Sequence, residues 1–426
     1  MKVLVVTEPG VDGVFRYVET LCHFLVKRGR EVHLAYSDRR GSDRLPRLVD
    51  WVEEHGGMTV NLRTSNRPAP SDWGAFCSLL KLARTVKPDV IHSHSSKAGF
   101  LARSLKFFGI RAVQFYHPHA YVGMRPVPGR LDWIYNMIES GLGRIAYTIT
   151  VSLDEMAFAC QRLKIPTRRV FLKGNGVYTD LFTPPLPGEK LRLRKAMGLP
   201  LHQPILGFIG RSSVQKDPLT LYRAFAKVAA EKPVSLFHVG QGELDSQLDI
   251  LVGQSGLGHR VFRSPYMATP ADFYRVVDGF ILTSLYEGFS LAVMEAISAN
   301  LPMILSEAPG NVDLLGQSLS HLWTAKPGDV EGFSRCIANW HEKLQTGAPV
   351  NHREIARTQF DCRKRVGAVV KLYDELARPA TINRDASHSG WAGIGRLRRF
   401  TGQKATPSRP PRQNQPDPAH RLHERV

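Results

Sequence analysis

Short apolar runs alternate along this chain with longer stretches of helical periodicity, and that alternation limits the folds open to it. "KVLVV" (2–6) reads as a strand and is followed by a helical pattern from about Val14 to Arg28. Gly29 ends that pattern, and "EVHLAY" (31–36) is the next strand. "DVIHSH" (89–94) and "AVQFY" (112–116) repeat the theme around the helical "SKAGFLARSLKFFG", and "YTITVS" (147–152) and "RVFLKG" (169–174) follow. Nearly continuous apolar strands separated by helices predict a mostly parallel sheet with helices on both faces.

The rhythm breaks at "YTDLFTPPLPGEK", whose Pro-Pro-x-Pro-Gly cluster is poor helix and poor strand and reads as a linker. A second series then starts. "PILGFIG" (204–210), "VSLFHVG" (234–240), "GFILTS" (279–284) and "PMILSE" (302–307) are strands. "DPLTLYRAFAKVAAE", with Pro218 near its start, and "ELDSQLDILVGQSG", closed by Gly, are helices. The predicted organisation is α/β, with two Rossmann-like doubly wound domains facing a cleft. The first domain spans 1–180, a linker 181–203, the second domain 204–359 and a closing C-terminal helix 360–377. The chain's 426 residues suffice for two such cores. Ligands of doubly wound domains bind beyond the carboxyl ends of the strands, so the cleft is the expected site.

From Arg378 onward the chain is rich in Pro, Gly, Ser and Arg, and disorder is expected there. That tail holds ten basic and three acidic residues, a surplus of seven within a formal net charge of +19. So large a charge favours polyanionic partners: nucleic acid, an anionic membrane or a phosphorylated substrate. No run of 18 apolar residues occurs, and the start lacks the long apolar core of a secretory signal. The five cysteines are widely spaced, odd in number and without C-x-x-C spacing, so neither a disulfide framework nor a zinc site is expected and a cytoplasmic setting fits.

Two acids stand out against this basic background. In "SLYEGFSLAVMEAIS", Glu287 precedes Gly-Phe-Ser and Glu295 follows it with seven residues between them. "GFILTS" ends a strand, "LYEG" turns, and Ser290 is placed to cap a helix whose Leu291, Met294 and Ile297 form a buried stripe. Asn300 can take the left-handed position at the helix end, and Pro302 stops continuation. The helix start offers unpaired N–H groups and the positive end of the dipole, an anion site that Gly288 lets a ligand approach. Ionised carboxylates only accept hydrogen bonds, so the two glutamates suit sugar hydroxyls and leave a diphosphate to the turn between them. The alternative is that one or both are solvated helix charges.

Three further groups point the same way. In "GFIGRSSVQKDP", Arg211 and Lys216 follow a strand end, one a planar fork and the other a point charge for phosphate oxygens. Glycine turns at Gly10 and Gly13 and at Gly240 and Gly242 link strand to helix, and Gly310 follows another strand. None completes G-x-G-x-x-G, so a dinucleotide cofactor is not expected. His92 and His94 in "DVIHSHSS" and His117 and His119 in "FYHPHAYVG" lie at strand ends. With no carboxylate at ligand spacing beside them, hydrogen bonding in the cleft is expected rather than metal binding.

"GRSSVQK", "YEGFSLAVMEAISANLP" and "APGNVD" together resemble the retaining nucleotide-sugar glycosyltransferases of family four (group 1 glycosyltransferases), which have the GT-B architecture. "DVIHSHSSKAGFLAR", "YHPHAYV", "YTITVSLDE" and "LKGNGVYTDLF" extend the resemblance over residues 1–377 and exclude the tail. It implies that Glu295 binds the ribose of the donor, Glu287 binds the transferred sugar, and Arg211 and Lys216 neutralise the diphosphate. The backbone from Phe289 through Ser290 to Leu291 would add N–H donors beside Gly288. His119 would lie near donor sugar and acceptor, and Gly13 in the loop facing the diphosphate. It implies no metal and no cofactor, the nucleotide sugar being a substrate.

Three positions depart from the family pattern. Asp12 stands in a loop that often holds a glycine pair, Asn300 replaces a frequent Gly, and Asp313 a frequent Glu. The expected function is transfer of a sugar to a glycan or lipid-linked acceptor in cell-surface polysaccharide assembly, on the inner face of the membrane. A nucleotide-sugar epimerase of the same fold and a basic membrane- or nucleic-acid-binding protein are the alternatives. "FLARSLKFFGIR" and the tail mix cations with apolar groups, as membrane-surface segments do, whereas the tail has no nucleic-acid-binding fold.

Overall fold

A computed structural model describes residues 1–377 except 9, 11, 40, 43, 66–67, 125–128, 268 and 312–318, and of Asp12 the backbone only. The expectations about residues 378–426, the Asp12 side chain and Asp313 lie outside the described residues.

The first sheet holds β1 (Lys2–Thr7), β2 (Glu31–Tyr36), β3 (Thr59–Asn61), β4 (Val90–His94), β5 (Val113–His117), β6 (Tyr147–Thr150) and β7 (Val170–Leu172). Its helices are α1 (Asp12–Lys27), α2 (Arg44–Glu54), α3 (Asp72–Val86), α4 (Ser96–Ser104), α5 (Asp132–Leu142) and α6 (Leu153–Ala157). The strands lie in the order β3-β2-β1-β4-β5-β6-β7, all parallel. The second sheet, also parallel, holds β8 (Ile205–Ile209), β9 (Ser235–Val239), β10 (Val261–Ser264), β11 (Gly279–Leu282), β12 (Met303–Ser306) and β13 (Leu322–Ala325). Its order is β10-β9-β8-β11-β12-β13, flanked by α7 (Glu189–Ala196), α8 (Pro218–Ala229), α9 (Asp245–Ser255), α10 (Pro270–Val276), α11 (Leu291–Ser298) and the helix Val330–Gln345.

Each sheet reverses its winding once, between β1 and β4 and between β8 and β11. These are the switch points where the loops part and leave a crevice. The glycine turn after β1, the histidines ending β4 and the cations after β8 all sit there, as does the Glu287 turn after β11. The central strands are fully buried, as in "VIHSH" and "SLFHV", which is why they read as continuous apolar runs. β3, β10 and β13 escaped the sequence reading. All three are edge strands of three or four residues and are only partly buried, so their pattern is weak.

Two further elements differ from expectation. The stretch expected to be linker contains α7, whose Arg194 is buried and donates to Asp278 Oδ2 at 2.5 Å and to the Val276 carbonyl at 2.7 Å. The Pro-rich cluster breaks the chain, but the residues after it dock onto the second domain. The closing helix starts at Cys362, after a backbone exchange in which Val177 N donates to Phe360 O and Cys362 N to Val177 O. It then returns to the first domain, burying Val366, Val369, Val370 and Tyr373 in one core with Leu21, Cys22 and Leu25 of α1. Each of these buried aliphatic side chains is worth about 1.5–3 kcal/mol over an exposed one, enough to hold the crossing.

Candidate functional site

The site forms where the α11 turn of the second domain meets the loops after β1 and β5 of the first. Gly288 lies so close to the His119–Ala120 backbone that a Cβ there would stand 2.9 Å from the His119 carbonyl oxygen. Gly13 faces Leu291, whose Cδ1 would lie 2.6 Å from an added Cβ. His119 and Ala120 both carry positive φ, 58° and 125°. Two non-glycine residues in such conformations cost energy, and strain of this kind concentrates at ligand sites. The Gly310 N–H donates to Asp154 Oδ2 at 2.8 Å, a second bridge between the domains.

Both glutamates are buried and both are engaged. Glu287 Oε1 accepts from Lys216 Nζ and from Ser284 Oγ, each at 2.6 Å. The cation expected at the phosphates and the acid expected at the sugar are therefore a pair. Glu295 accepts from Tyr274 OH at 2.7 Å and from Arg16 Nη1 at 2.5 Å. The Glu295 carboxylate raises the Arg16 guanidinium above its ordinary range, and burial followed by the same carboxylate raises the Tyr274 hydroxyl well above its own. Arg16, Gly13, Asn175, Leu291 and Glu295 line a cavity of about 20 Å³. That is room for about one water molecule, so the Glu295 carboxylate is covered by protein.

The helix around Glu295 also departs in detail from the reading of its sequence. Ser290 occupies the N-cap position but makes no capping hydrogen bond, and its hydroxyl is buried without a partner among the described residues. The first-turn N–H groups thus keep their capacity for a ligand. Residues 293–298 are all buried, so the expected stripe is a helix enclosed on every side, with Leu291 half-buried at the cleft. Phe289 turns its ring into the core against Phe360, with centroids 5.9 Å apart, and leaves only its backbone for the site. Asn300 takes φ 60°, the left-handed state expected of it. Arg211 is exposed, and its guanidinium makes no ion pair among the described residues.

His119 joins a histidine cluster. Its ring stacks on His117 at 3.8 Å, and its Nε2 lies 3.1 Å from His94 Nδ1. Burial pushes its imidazole down to about 3, so at neutral pH it is an uncharged hydrogen-bonding group. The structure therefore brings together Gly13, His119, Lys216, Glu287, Gly288, Leu291 and Glu295, and leaves Arg211 at the rim. The sequence reading missed Arg16, Tyr274, Ser284 and Asp154. Ser284 was legible as the neighbour of the glutamate turn; an arginine inside an amphipathic helix and a tyrosine inside another carry no such mark.

Residues 189–354 match the family described as glycosyl transferases group 1, and residues 11–181 match glycosyltransferase family 4. A UDP-Gal:alpha-D-GlcNAc-diphosphoundecaprenol alpha-1,3-galactosyltransferase of Escherichia coli is 27% identical over 339 residues, 77% of this chain and 86% of that protein. A GDP-mannose-dependent alpha-mannosyltransferase of Mycolicibacterium smegmatis is 27% identical over 84% of this chain and 94% of its own length. Among solved structures, HepE of Anabaena in complex with UDP superposes with a TM-score of 0.74 at 19% identity, covering 88% of this chain and 100% of that one.

Proposed function

Because the chain belongs to the group 1 glycosyltransferases of GT-B fold, enzymes that use nucleotide-sugar donors, we propose that it transfers the sugar with retention of anomeric configuration to a glycan or lipid-linked acceptor. The observation that carries this reading is the Lys216–Glu287 pair at the start of α11, held beside the His119 backbone by the Gly288 contact.

The leaving diphosphate gains negative charge as its bond to the sugar C1 breaks and the electron pair moves to the phosphate oxygen. Lys216, Arg211 and the N–H groups of Phe289, Ser290 and Leu291 supply fixed positive potential for that charge. Glu287 accepts from hydroxyls of the sugar once Lys216 turns to the phosphate, and Glu295 accepts from the ribose once Arg16 withdraws. Gly13 lets the first-domain loop approach the diphosphate without a side chain between. The acceptor hydroxyl attacks C1 and passes its proton to the departing phosphate, so no protein nucleophile is required. The neutral His119 donates or accepts a hydrogen bond at the sugar without adding charge. None of these roles calls for a metal or a cofactor.

The same reading places the enzyme in cell-surface polysaccharide assembly, in the cytoplasm at the inner membrane face. Among the described residues no helix is long and apolar enough to cross a membrane. A surface contact is supported by a ladder of rings, Trp73 on Phe76 at 5.8 Å and Phe76 on Phe108 at 4.8 Å, beside the exposed Phe107 and Lys106. Aromatic groups interleaved with cations favour an anionic interface.

The deciding experiment incubates radiolabelled nucleotide sugars with the chain, with and without lipid-linked acceptor. Transfer that needs acceptor and vanishes in Glu287→Ala supports the reading. Conversion of donor without acceptor points to the epimerase, and full transfer by Glu287→Ala sinks the site assignment.

A further inference from the structure

Beneath His119 lies a group of side chains that the transfer reaction does not use. β4 and β5 are paired in register with His94 opposite His117. Side chains alternate along a strand, so His92 and His94 share one face of β4. All three rings are fully buried, with centroids 4.1 Å (His92–His94), 5.9 Å (His92–His117) and 5.7 Å (His94–His117) apart.

Their hydrogen bonding is incomplete in a patterned way. His92 Nδ1 bonds to the Tyr373 hydroxyl, and His94 Nδ1 to His119 Nε2. Among the described residues Nε2 of His92, Nε2 of His94 and both ring nitrogens of His117 have no partner. Each buried polar atom left unpaired costs about 1–3 kcal/mol. Phe115 of β5, opposite His92 in register, shows that the sheet accepts an apolar ring there. Each neutral ring carries one lone pair, so the three orphaned rings in one place call for a ligand that takes three nitrogen lone pairs.

We infer that His92, His94 and His117 form a buried three-nitrogen site for a transition-metal dication of the zinc type. One ligand atom from each lies within 4.8 Å of the others. Nitrogens around tetrahedral zinc, at about 2.0–2.1 Å from the metal, stand roughly 3.4 Å apart. Closing the difference takes ring adjustments on the order of one ångström, within rotamer freedom. The imidazoles are already in the neutral, ligating form, since burial holds His92 down to about 3 and His94 and His117 well below the ordinary histidine value. Tyr373 and His119 fix the Nδ1 atoms of two rings, as outer-shell partners of metal-bound histidines do. Tyr17 packs against the cluster. Its hydroxyl is buried without a partner among the described residues, and its ring meets His117 edge-on at 4.8 Å. The ion would hold His119 in place through His94 and His117, so its role is positional.

The test uses the full chain, stripped with a chelator, dialysed and titrated with Co²⁺. The expected result is one equivalent bound per chain, with the intense visible bands of four-coordinate cobalt that Zn²⁺ then abolishes. His92→Asn and His117→Asn each weaken binding at least tenfold, while His23→Asn on α1, outside the cluster, leaves it unchanged. Absence of a stoichiometric four-coordinate spectrum from the wild-type chain overturns the proposal, even where the variants do not fold. So does unchanged affinity in both folded variants. The readout is metal binding, so it stands apart from the outcome of the transfer assay.

Discussion

Arg16 of α1 and Glu295 of α11 meet at 2.5 Å across the two domains. The carboxylate proposed to take the donor ribose is thereby occupied by the first domain's own cation, so nucleotide binding and this bridge compete. Arg16→Ala should tighten binding of UDP or GDP about three- to tenfold, measured by titration calorimetry, and lower stability by about 3–5 kcal/mol as a buried acid loses its cation. Weaker nucleotide binding would show instead that Arg16 is itself a donor contact. Glu295→Ala should weaken binding.

Lys216 and Glu287 share one interaction, so their effects should not add. Each alanine variant is expected to lower kcat/KM at least 100-fold, or about 2.7 kcal/mol. The double variant should lose clearly less than the product of the two. A multiplicative loss in steady-state assays would mean that the residues act independently during transfer.

Gly310 and Gly13 should answer differently to the same change. Gly310 has φ 85°, and an added Cβ would stand 2.1 Å from the Glu287 carbonyl oxygen, an atom of the backbone. At Gly13 the obstacle is only the far end of the Leu291 side chain. Gly310→Ala is expected to cost about 2–4 kcal/mol in urea unfolding and Gly13→Ala less than about 1. Equal losses would contradict this contrast.

His238 on β9 should make the fold sensitive to acid. It is buried, bonds through Nδ1 to the Tyr222 hydroxyl at 2.9 Å, and burial lowers its imidazole to about 4. Between pH 6.5 and 4 the unfolded chain binds a proton that the folded chain does not. Its contribution is therefore fully present above pH 6.5 and is lost as pH falls through 4, roughly 3 kcal/mol in all. His238→Gln should flatten the fall in urea midpoint over that window. An unchanged slope would assign the acid sensitivity to other groups.

Phe107 and Trp73 are 70% and 67% exposed, and their truncation should leave stability unaltered. Phe107→Ser with Trp73→Ser should reduce co-sedimentation with vesicles rich in anionic lipid about tenfold, with no change in melting temperature. Equal sedimentation would remove this face from the membrane reading.

Much of this protein was legible as text. Ten of the strands announced themselves as apolar runs, since burial on both faces needs no partner to be recognised. Asn300 marked its helix end because few side chains accept φ near 60°. Gly288 and Ser290 marked the start of α11, because a turn that ends in a helix has a local residue pattern wherever it lies. These are local rules, which operate within a few residues.

Other features became decided only when distant segments met. The return of the closing helix onto α1, the docking of α7 and the edge strands depend on surfaces far apart in the chain. So does the partner of each charge: neither glutamate's sequence neighbourhood names Lys216 or Arg16. The histidine cluster is the clearest case. His92 and His94 are paired by strand periodicity alone, but His117 joins them only because β5 lies beside β4 with His94 in register. Periodicity sets which face a side chain takes, and sheet order and register set what it meets there.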